Sequence, residues 1–445
     1  MSWIEAASEL NWLVCAAFVA LLVYAMHAAV QRAELARDRA GNVLLAQLAA
    51  MGESVPVSLH PQIDAQRCIG SGACVRACPE KKVLQVVGGT ARLVNPLACV
   101  GHGACMAACG VEAIRLVFGT ATRGVELPRI DASFESTSPG VFIVGELAGM
   151  GLIRNAVRQG GQAGAVVAGR ALRHPDALDA IVVGAGPAGI SAALALQSAG
   201  KHYALLDREV FGGTIRHYPR GKVVMAGELA LPGYGKVKRG RMSKEELVAL
   251  WTDIRTKTGL RVSTGVLVTG LAREPDGAWR VETSDGPMRA SHVILALGRR
   301  GAPRKLEVPG EDLAKVSYRV VEPEEHRGRH VLVVGGGNSA IETALILAEA
   351  GSCASVAISY RREKFARARG DNLERIEAAI ASGQVRGLLG TDVVAIEEHA
   401  VRIRDHAGVE QTLANDAVVV QAGGTDPSAL LGSFGIALET KYGEI

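Results

Sequence analysis

The sequence predicts an α/β protein with two separate nucleotide-binding sheets, a small α+β cysteine-rich module and one N-terminal transmembrane helix. Three observations predict this: two strand–glycine turn–helix stretches, a twofold cysteine repeat, and a long charge-free run near the N-terminus. A chain of 445 residues implies two to four domains. A net charge of +4 is small for that length and argues against a nucleic-acid footprint. The 53 glycines and 4% aromatics suit α/β folds with many tight turns.

The first glycine stretch is DAIVVGAGPAG, residues 179–189. Ile181, Val182 and Val183 form an apolar run that enters Gly184-x-Gly186-x-x-Gly189, and Pro187 and Ala188 open an alanine-rich helical pattern. The glycines allow a tight turn, close approach of the backbone to a pyrophosphate and close helix–strand packing, while the helix N-terminus supplies positive potential. About 20 residues on, a second apolar run ends at Asp207, where an acid can hydrogen-bond a ribose hydroxyl.

The second stretch repeats the design. Residues 330–334 enter Gly335-Gly336-Gly337-Asn338-Ser339-Ala340, followed by a helical pattern. The next strand, 354–359, ends in Tyr360-Arg361-Arg362, with Arg367 and Arg369 beyond. A guanidinium there suits a 2′-phosphate that a carboxylate would repel, so this Rossmann-like domain is expected to take NADPH rather than NADH. A solvated basic helix start is the alternative.

Residues 10–31 contain no Asp, Glu, Lys or Arg. At about 1.5 Å per residue they cover a hydrocarbon core of about 30 Å. Glu5 and Glu9 precede the run and Arg32, Arg37 and Arg39 follow it. No basic n-region or small-residue cleavage site marks a signal peptide. The positive-inside rule then gives a single-pass anchor in the inner (cytoplasmic) membrane, N-terminus out, with the bulk of the chain in the cytoplasm. A buried core helix is the other reading of the same run.

The cysteine repeat reads Cys68-x-x-Ser71-x-x-Cys74-x-x-x-Cys78-Pro79 and Cys99-x-x-His102-x-x-Cys105-x-x-x-Cys109-Gly110. It resembles the two-cluster bacterial ferredoxin run, with Ser71 and His102 at the second cysteine positions and Gly110 for the second proline. In that design the fourth cysteine of each run ligates the other cluster. The resemblance thus implies one site of Cys68, Cys74 and Cys109 beside Ser71, and another of Cys99, Cys105 and Cys78 beside His102. Two clusters follow, 4Fe–4S or 3Fe–4S, because three thiolates hold a three-iron cluster and histidine can complete a four-iron one. A structural zinc at the Cys3His unit, or an empty module, is the alternative. Disulfides are disfavoured in the cytoplasm. Of the eight cysteines only Cys15 and Cys353 lie outside the repeat.

Residues 137–146, TSPGVFIVGE, precede a helix-compatible stretch from about Leu152. They resemble the C-terminal flavin signature of thioredoxin-reductase-like, two-dinucleotide-binding flavoproteins, with Ser136 at the threonine position, Ile143 for alanine and Glu146 for aspartate after Gly145. The resemblance implies that Glu146 bonds the ribityl chain and that Phe211-Gly212-Gly213-Thr214 passes the flavin. In that family the signature comes last, whereas here it precedes the first glycine motif. A circular permutation is expected, tolerated where old termini lie close together. Completion of a partner protomer's site by swapping is the other possibility.

The expected layout is a membrane anchor at 1–40, a ferredoxin-like domain at 56–120 and the permuted part of the FAD domain at 121–173. The FAD-binding domain follows at 177–300, the NAD(P)-binding domain at 301–423, and a return to the FAD domain at 424–445. The family's reductases carry a Cys-x-x-Cys in the nucleotide domain, but here Cys353 stands alone, so dithiol disulfide reduction is not expected. Cofactors FAD, NADPH and two iron–sulfur clusters imply an electron wire with no acid–base residues. It runs from NADPH through FAD and the clusters to a membrane-associated redox protein or quinone, or in reverse. A homodimer is expected, and no nucleic acid. A flavin or NADPH:quinone reductase with a structural module, and a membrane-tethered redox sensor, are the competing readings. The basic segment 236–242 is a partner surface or a solvated loop.

Overall fold

The computed structural model describes residues 3–50, 59–80, 83–96, 99–149, 151–170, 174, 176–218, 220, 222–298, 304–318, 322–365, 368, 370–424 and 427–444. Side chains are described within these except at 3–15, 47–50, 225, 370 and 371. The chain forms two compact units. One contains the N-terminal helix with Pro61–Cys99 and Gly103–Leu116, and the other contains Val117–Ile445 with residues 100–102.

In the first unit, α1 (Trp3–Ala50) is one unbroken helix that continues well past the charge-free run. Within it Ala16–Ala46 is long and apolar enough to cross a membrane, and Phe18, Leu21, Leu22, Val23 and Tyr24 are all exposed. The cysteine module has two short helices, α2 (Ala73–Ala77) and α3 (Ala104–Ala107), and two two-stranded sheets. One sheet pairs His60–Ile63 with Ile114–Val117, and the other is the hairpin of Leu84–Val87 with Thr90–Leu93. The sequence repeat is a structural repeat. Each helix starts from a left-handed glycine, Gly72 at φ 66° and Gly103 at φ 77°, directly after Ser71 and His102. Such a φ strains any residue with a Cβ.

In the second unit a seven-stranded sheet carries α4 (Ile153–Ala168) and α5 (Pro187–Ser198) packed against each other. Its path is Ser263–Thr264, Tyr203–Asp207, Leu178–Val183, Met288–Leu295, Trp279–Thr283, Val268–Arg273. The strand Val141–Ile143 also pairs in parallel with Met288–Leu295, through Val141 to Val293 and Ile143 to Leu295. The segment that the sequence places out of family order therefore lies in the sheet of its own chain. The run 261–298, whose short alternating apolar stretches suggest a small meander, is divided. Ser263–Thr264 extends the parallel sheet beside Leu206 and Asp207, and only the three later strands are antiparallel.

Residues 217–243, which carry no strong periodicity, form two short antiparallel pairs, Val223–Met225 with Arg241–Ser243 and Glu228–Leu231 with Gly235–Lys238. They lead into α6 (Lys244–Thr258), which a Ser243–Glu246 capping box starts. The second nucleotide domain is a five-stranded parallel sheet with α7 (Asn338–Ala350) and α8 (Gly370–Ala381), plus a three-stranded meander. After it come α9 (Ser428–Ser433) and the strand Leu438–Lys441, which pairs antiparallel with Val125–Pro128.

Candidate nucleotide and cluster sites

Three loops far apart in sequence meet at the start of α5. Gly184 has φ 105°, and a Cβ there would lie 2.4 Å from the Ala296 carbonyl oxygen. A Cβ at Gly189 would lie 1.8 Å from the Gly184 oxygen, so glycine is obligatory for the helix to sit this close to the strand. Gly186 differs: no heavy atom lies within 4 Å of where its Cβ would be. That open face, at the N-cap of a helix with Pro187 in its first turn, fits a pyrophosphate.

The Gly212 N–H donates to the Ala185 oxygen at 2.9 Å, and a Cβ on Gly213 would come 2.9 Å from Gly186 Cα. Thr214 lies in the short turn Gly213–His217 that follows. From the permuted segment, Gly145 at φ 80° lies against Ala188, with 3.1 Å between its would-be Cβ and the Ala188 Cβ. Glu146 follows on an exposed position beside Gly151. Gly145, Gly212 and Gly213 thus meet the glycine loop and the start of α5.

Asp207 also serves the loop itself. Its Oδ2 accepts from the Ala185 N–H at 2.6 Å and its Oδ1 from the Glu209 N–H at 2.8 Å, so it braces the glycine loop. The sequence reading missed Gln159 on α4. It is 2% exposed, and its Oε1 accepts from the Gly145 N–H at 2.8 Å. A polar residue on a buried face otherwise made of Ala, Val and Gly was the available signal.

At the second site, Gly335 and Ala340 face one another, and a Cβ on Gly335 would lie 2.4 Å from the Gln421 oxygen. A Cβ on Gly336 would enter the Tyr360 ring, which stacks on Phe365 at 5.7 Å between centroids. Gly337, the N-cap of α7, is open like Gly186. Asn338 opens the helix and its Oδ1 accepts from Asn372 at 3.1 Å, while Ser339 gives its carbonyl to the Thr343 hydroxyl. Arg361 and Arg362 are exposed just beyond the strand Ser355–Tyr360. Their backbone oxygens are tied to His406 at 2.8 Å and to the Gly390 N–H at 3.0 Å. Arg367 lies outside the described residues.

In the cysteine module the thiols lie within electrostatic reach of one another: Cys74 feels Cys68 and Cys109, Cys105 feels Cys99 and Cys78, and Cys78 in turn feels Cys74. Burial pushes all three of Cys74, Cys78 and Cys105 up, Cys105 to about 11. Backbone N–H groups point at sulfur, from Ala91 to Cys68 at 3.4 Å and from Ala113 to Cys109 at 3.2 Å. Such a donor set fits iron–sulfur ligation, where N–H groups stabilise sulfur charge. Among the described residues no three His, Cys, Asp or Glu side chains converge tightly enough to hold a single ion. Ser71 is exposed ahead of α2. His102 falls with the second unit, where its carbonyl accepts from Arg154 at 2.5 Å.

Residues 181–442 match the family described as pyridine nucleotide-disulphide oxidoreductase, and residues 60–110 match a 4Fe-4S dicluster domain. Over 251 residues the chain is 31% identical to a ferredoxin–NADP reductase of Ignicoccus hospitalis, covering 56% of this chain and 78% of that protein. It is 25% identical to the bacilliredoxin reductase Bdr of Bacillus subtilis, covering 59% and 82%. The bacillithiol disulfide reductase Bdr of Bacillus cereus aligns with it at a TM-score of 0.49 and 26% identity, over 57% of this chain and 81% of that one. The family match starts at 181, after the strand Val141–Ile143 that shares its sheet. This is a flavoprotein oxidoreductase of NADP with an iron–sulfur module. The chain belongs to the pyridine nucleotide-disulphide oxidoreductase family and is similar to a ferredoxin–NADP reductase, with a 4Fe-4S dicluster domain preceding the flavoprotein part.

Proposed function

We propose that the protein is a membrane-anchored, NADPH-dependent oxidoreductase that exchanges electrons with a membrane-associated redox protein or quinone, and that it is not a dithiol disulfide reductase. The observation that carries this reading is the distribution of sulfur. The six cysteines of the repeat, Cys68 to Cys109, lie in one module, and Cys353 is the only cysteine after residue 109. A two-electron donor in the nucleotide domains thus has no local thiol pair to reduce. When bound, FAD takes hydride from NADPH and can pass on single electrons, and the clusters carry them one at a time.

The chain's own residues position and tune. Gly186 and Gly337 leave their backbones open to phosphate at two helix N-termini. Arg361 and Arg362 would take the 2′-phosphate of NADPH, Gly145 and Glu146 would flank the flavin, and Asp207 holds the glycine loop in shape. Cys68, Cys74 and Cys109 would hold one cluster and Cys99, Cys105 and Cys78 the other, with Ser71 and His102 at the remaining corners. The exposed apolar helix 16–46 supports the membrane anchor.

The test is anaerobic purification with iron, sulfide and flavin analysis, followed by EPR after adding NADPH. Two cluster signals that grow with NADPH support the reading. Stoichiometric flavin without iron, or clusters that NADPH leaves oxidised in the presence of reduced flavin, would overturn it. Replacing Arg361 and Arg362 together by Ala should raise KM for NADPH about tenfold or more and leave NADH nearly unchanged, as expected when paired charges on one phosphate are lost. Equal effects on both coenzymes would remove these arginines from the phosphate site.

A further inference from the structure

Within the first unit, α1 does two things along its length. Its side chains from residue 16 to residue 37 are exposed apart from a partly covered Ala28. Beyond that point one face becomes covered: Asp38 is half-buried, Gly41 buried and Leu45 half-buried. The spacing i, i+3, i+7 is one stripe of a helix.

What covers this stripe is the hairpin of the cysteine module. Gln85 Nε2 donates to the Arg37 carbonyl at 2.7 Å. A Cβ on Gly41 would lie 2.6 Å from Val87 Cγ2 and 3.1 Å from Gln85 Nε2. Glycine inside a helix costs about 1 kcal/mol relative to alanine, so it is a poor choice unless something must approach closely. Here something does. Lacking a side chain at 41, the helix leaves the carbonyl one turn back, that of Arg37, open to Gln85.

We propose that α1 is a rigid stalk. It crosses the bilayer and, still helical, docks through Gly41 on the Leu84–Val87 strand, so that the cysteine module is fixed just above the lipid headgroup layer rather than hung on a flexible linker. At about 1.5 Å per residue, Gly41 stands about 15 Å along the axis beyond Gln31, just past a headgroup layer of about 5–8 Å on that side. Arg32, Arg37 and Arg39 are exposed along this stretch, with chemistry that suits anionic headgroups. The module's redox groups would then meet a partner at a set height above the membrane. This inference rests on the membrane reading above and adds the docked, helical connection to it.

Trypsin tests the stalk on the full-length holoprotein in nanodiscs of phosphatidylcholine and phosphatidylglycerol. Cleavage after Arg37 and Arg39 is followed by mass spectrometry. A docked helix is cut only when it opens, so the wild type should be slow and Gly41→Leu faster by about tenfold or more. Gly41→Ala should also speed cutting, and adding Val87→Ala, which removes the clashing methyls, should slow it again. Flavin content reports whether each variant is folded, and the Ala pair carries the test if the Leu variant is not.

Wild type and Gly41→Leu cut equally fast in a membrane-bound protein would overturn the stalk and leave the anchor standing. Release of the wild type from vesicles by alkaline carbonate would overturn the anchor, and the stalk with it. Fast cutting that Val87→Ala does not slow would show that Gly41 is not the docking point.

Discussion

Glu135 is held on both oxygens. Its Oε1 accepts from the Gly140 N–H at 2.6 Å and from Arg170 Nη1 at 2.9 Å, and its Oε2 from Arg170 Nη2. The Arg170 guanidinium also lies 4.9 Å above the Phe142 ring. The hydrogen bond from Arg170 holds the Glu135 carboxyl below the usual carboxylate range. A depressed carboxyl contributes stability that is present above its unfolded pKa and is lost as pH falls through the folded value. Glu135→Gln should therefore cost about 1–2 kcal/mol at pH 7, the lower end of a charge-assisted pair because Arg170 is a third exposed. The gap from wild type should narrow as pH falls below about 4. Urea melts at pH 7 and pH 3.5 measure both, and a gap that widens in acid would contradict the assignment. Nothing in the sequence marks this pair, because its partners are 35 residues apart and meet only in the folded chain.

Among the elements, α4 and α5 show what the sequence made legible and what it hid. The helix from about Leu152 was readable, and it forms as Ile153–Ala168. Its function was not readable. A Cβ on Gly160 would lie 1.9 Å from the Ala188 oxygen, and one on Gly164 2.6 Å from the Ala192 oxygen. The glycines at i and i+4 form a groove that admits the backbone of α5, the helix whose N-terminus bears Gly186. That close approach also brings Gly145 against Ala188. Gly160→Ala should thus push the two helices apart, lower FAD retention and lower Tm by several degrees, for an overpacking cost of about 1–3 kcal/mol. Gly110→Ala, where a Cβ meets nothing within 4 Å, is the matched control and should leave both unchanged. Equal behaviour of the two variants would mean that the helices can separate freely. The glycine motifs themselves were legible because each is local, strand to turn to helix. The Gly145–Gln159 bond and the bracing role of Asp207 were not, since each depends on which segments the fold places side by side.

At the scale of the whole molecule, the two halves of the flavin domain lie in the reverse of family order and are nevertheless stitched together at the chain's end. Leu438–Lys441 pairs with Val125–Pro128, the Phe118 N–H donates to the Glu444 oxygen at 2.8 Å, and the Gly443 N–H donates to the Phe118 oxygen at 2.7 Å. Residues 118 and 444 are therefore direct neighbours, and a short Gly–Ser loop between them needs no rearrangement. A chain with residues 1–117 joined by a flexible linker to 177, running to 444 and then through that loop to 118–170, would restore the family's order. Every strand pairing in the second unit is between segments this reordering keeps intact, so it should bind FAD stoichiometrically and melt within a few degrees of the natural order. Closing a short loop changes the chain entropy by only about 1–2 kcal/mol. The variant also separates two roles of the permutation. If it keeps FAD and NADPH oxidation but no longer passes electrons to the clusters, then the order of segments serves to attach the cysteine module at residue 117, and the flavin site itself is indifferent to it. A reordered chain that folds but binds no flavin would show instead that Val141–Ile143 must be delivered from the N-terminal side for the sheet to close.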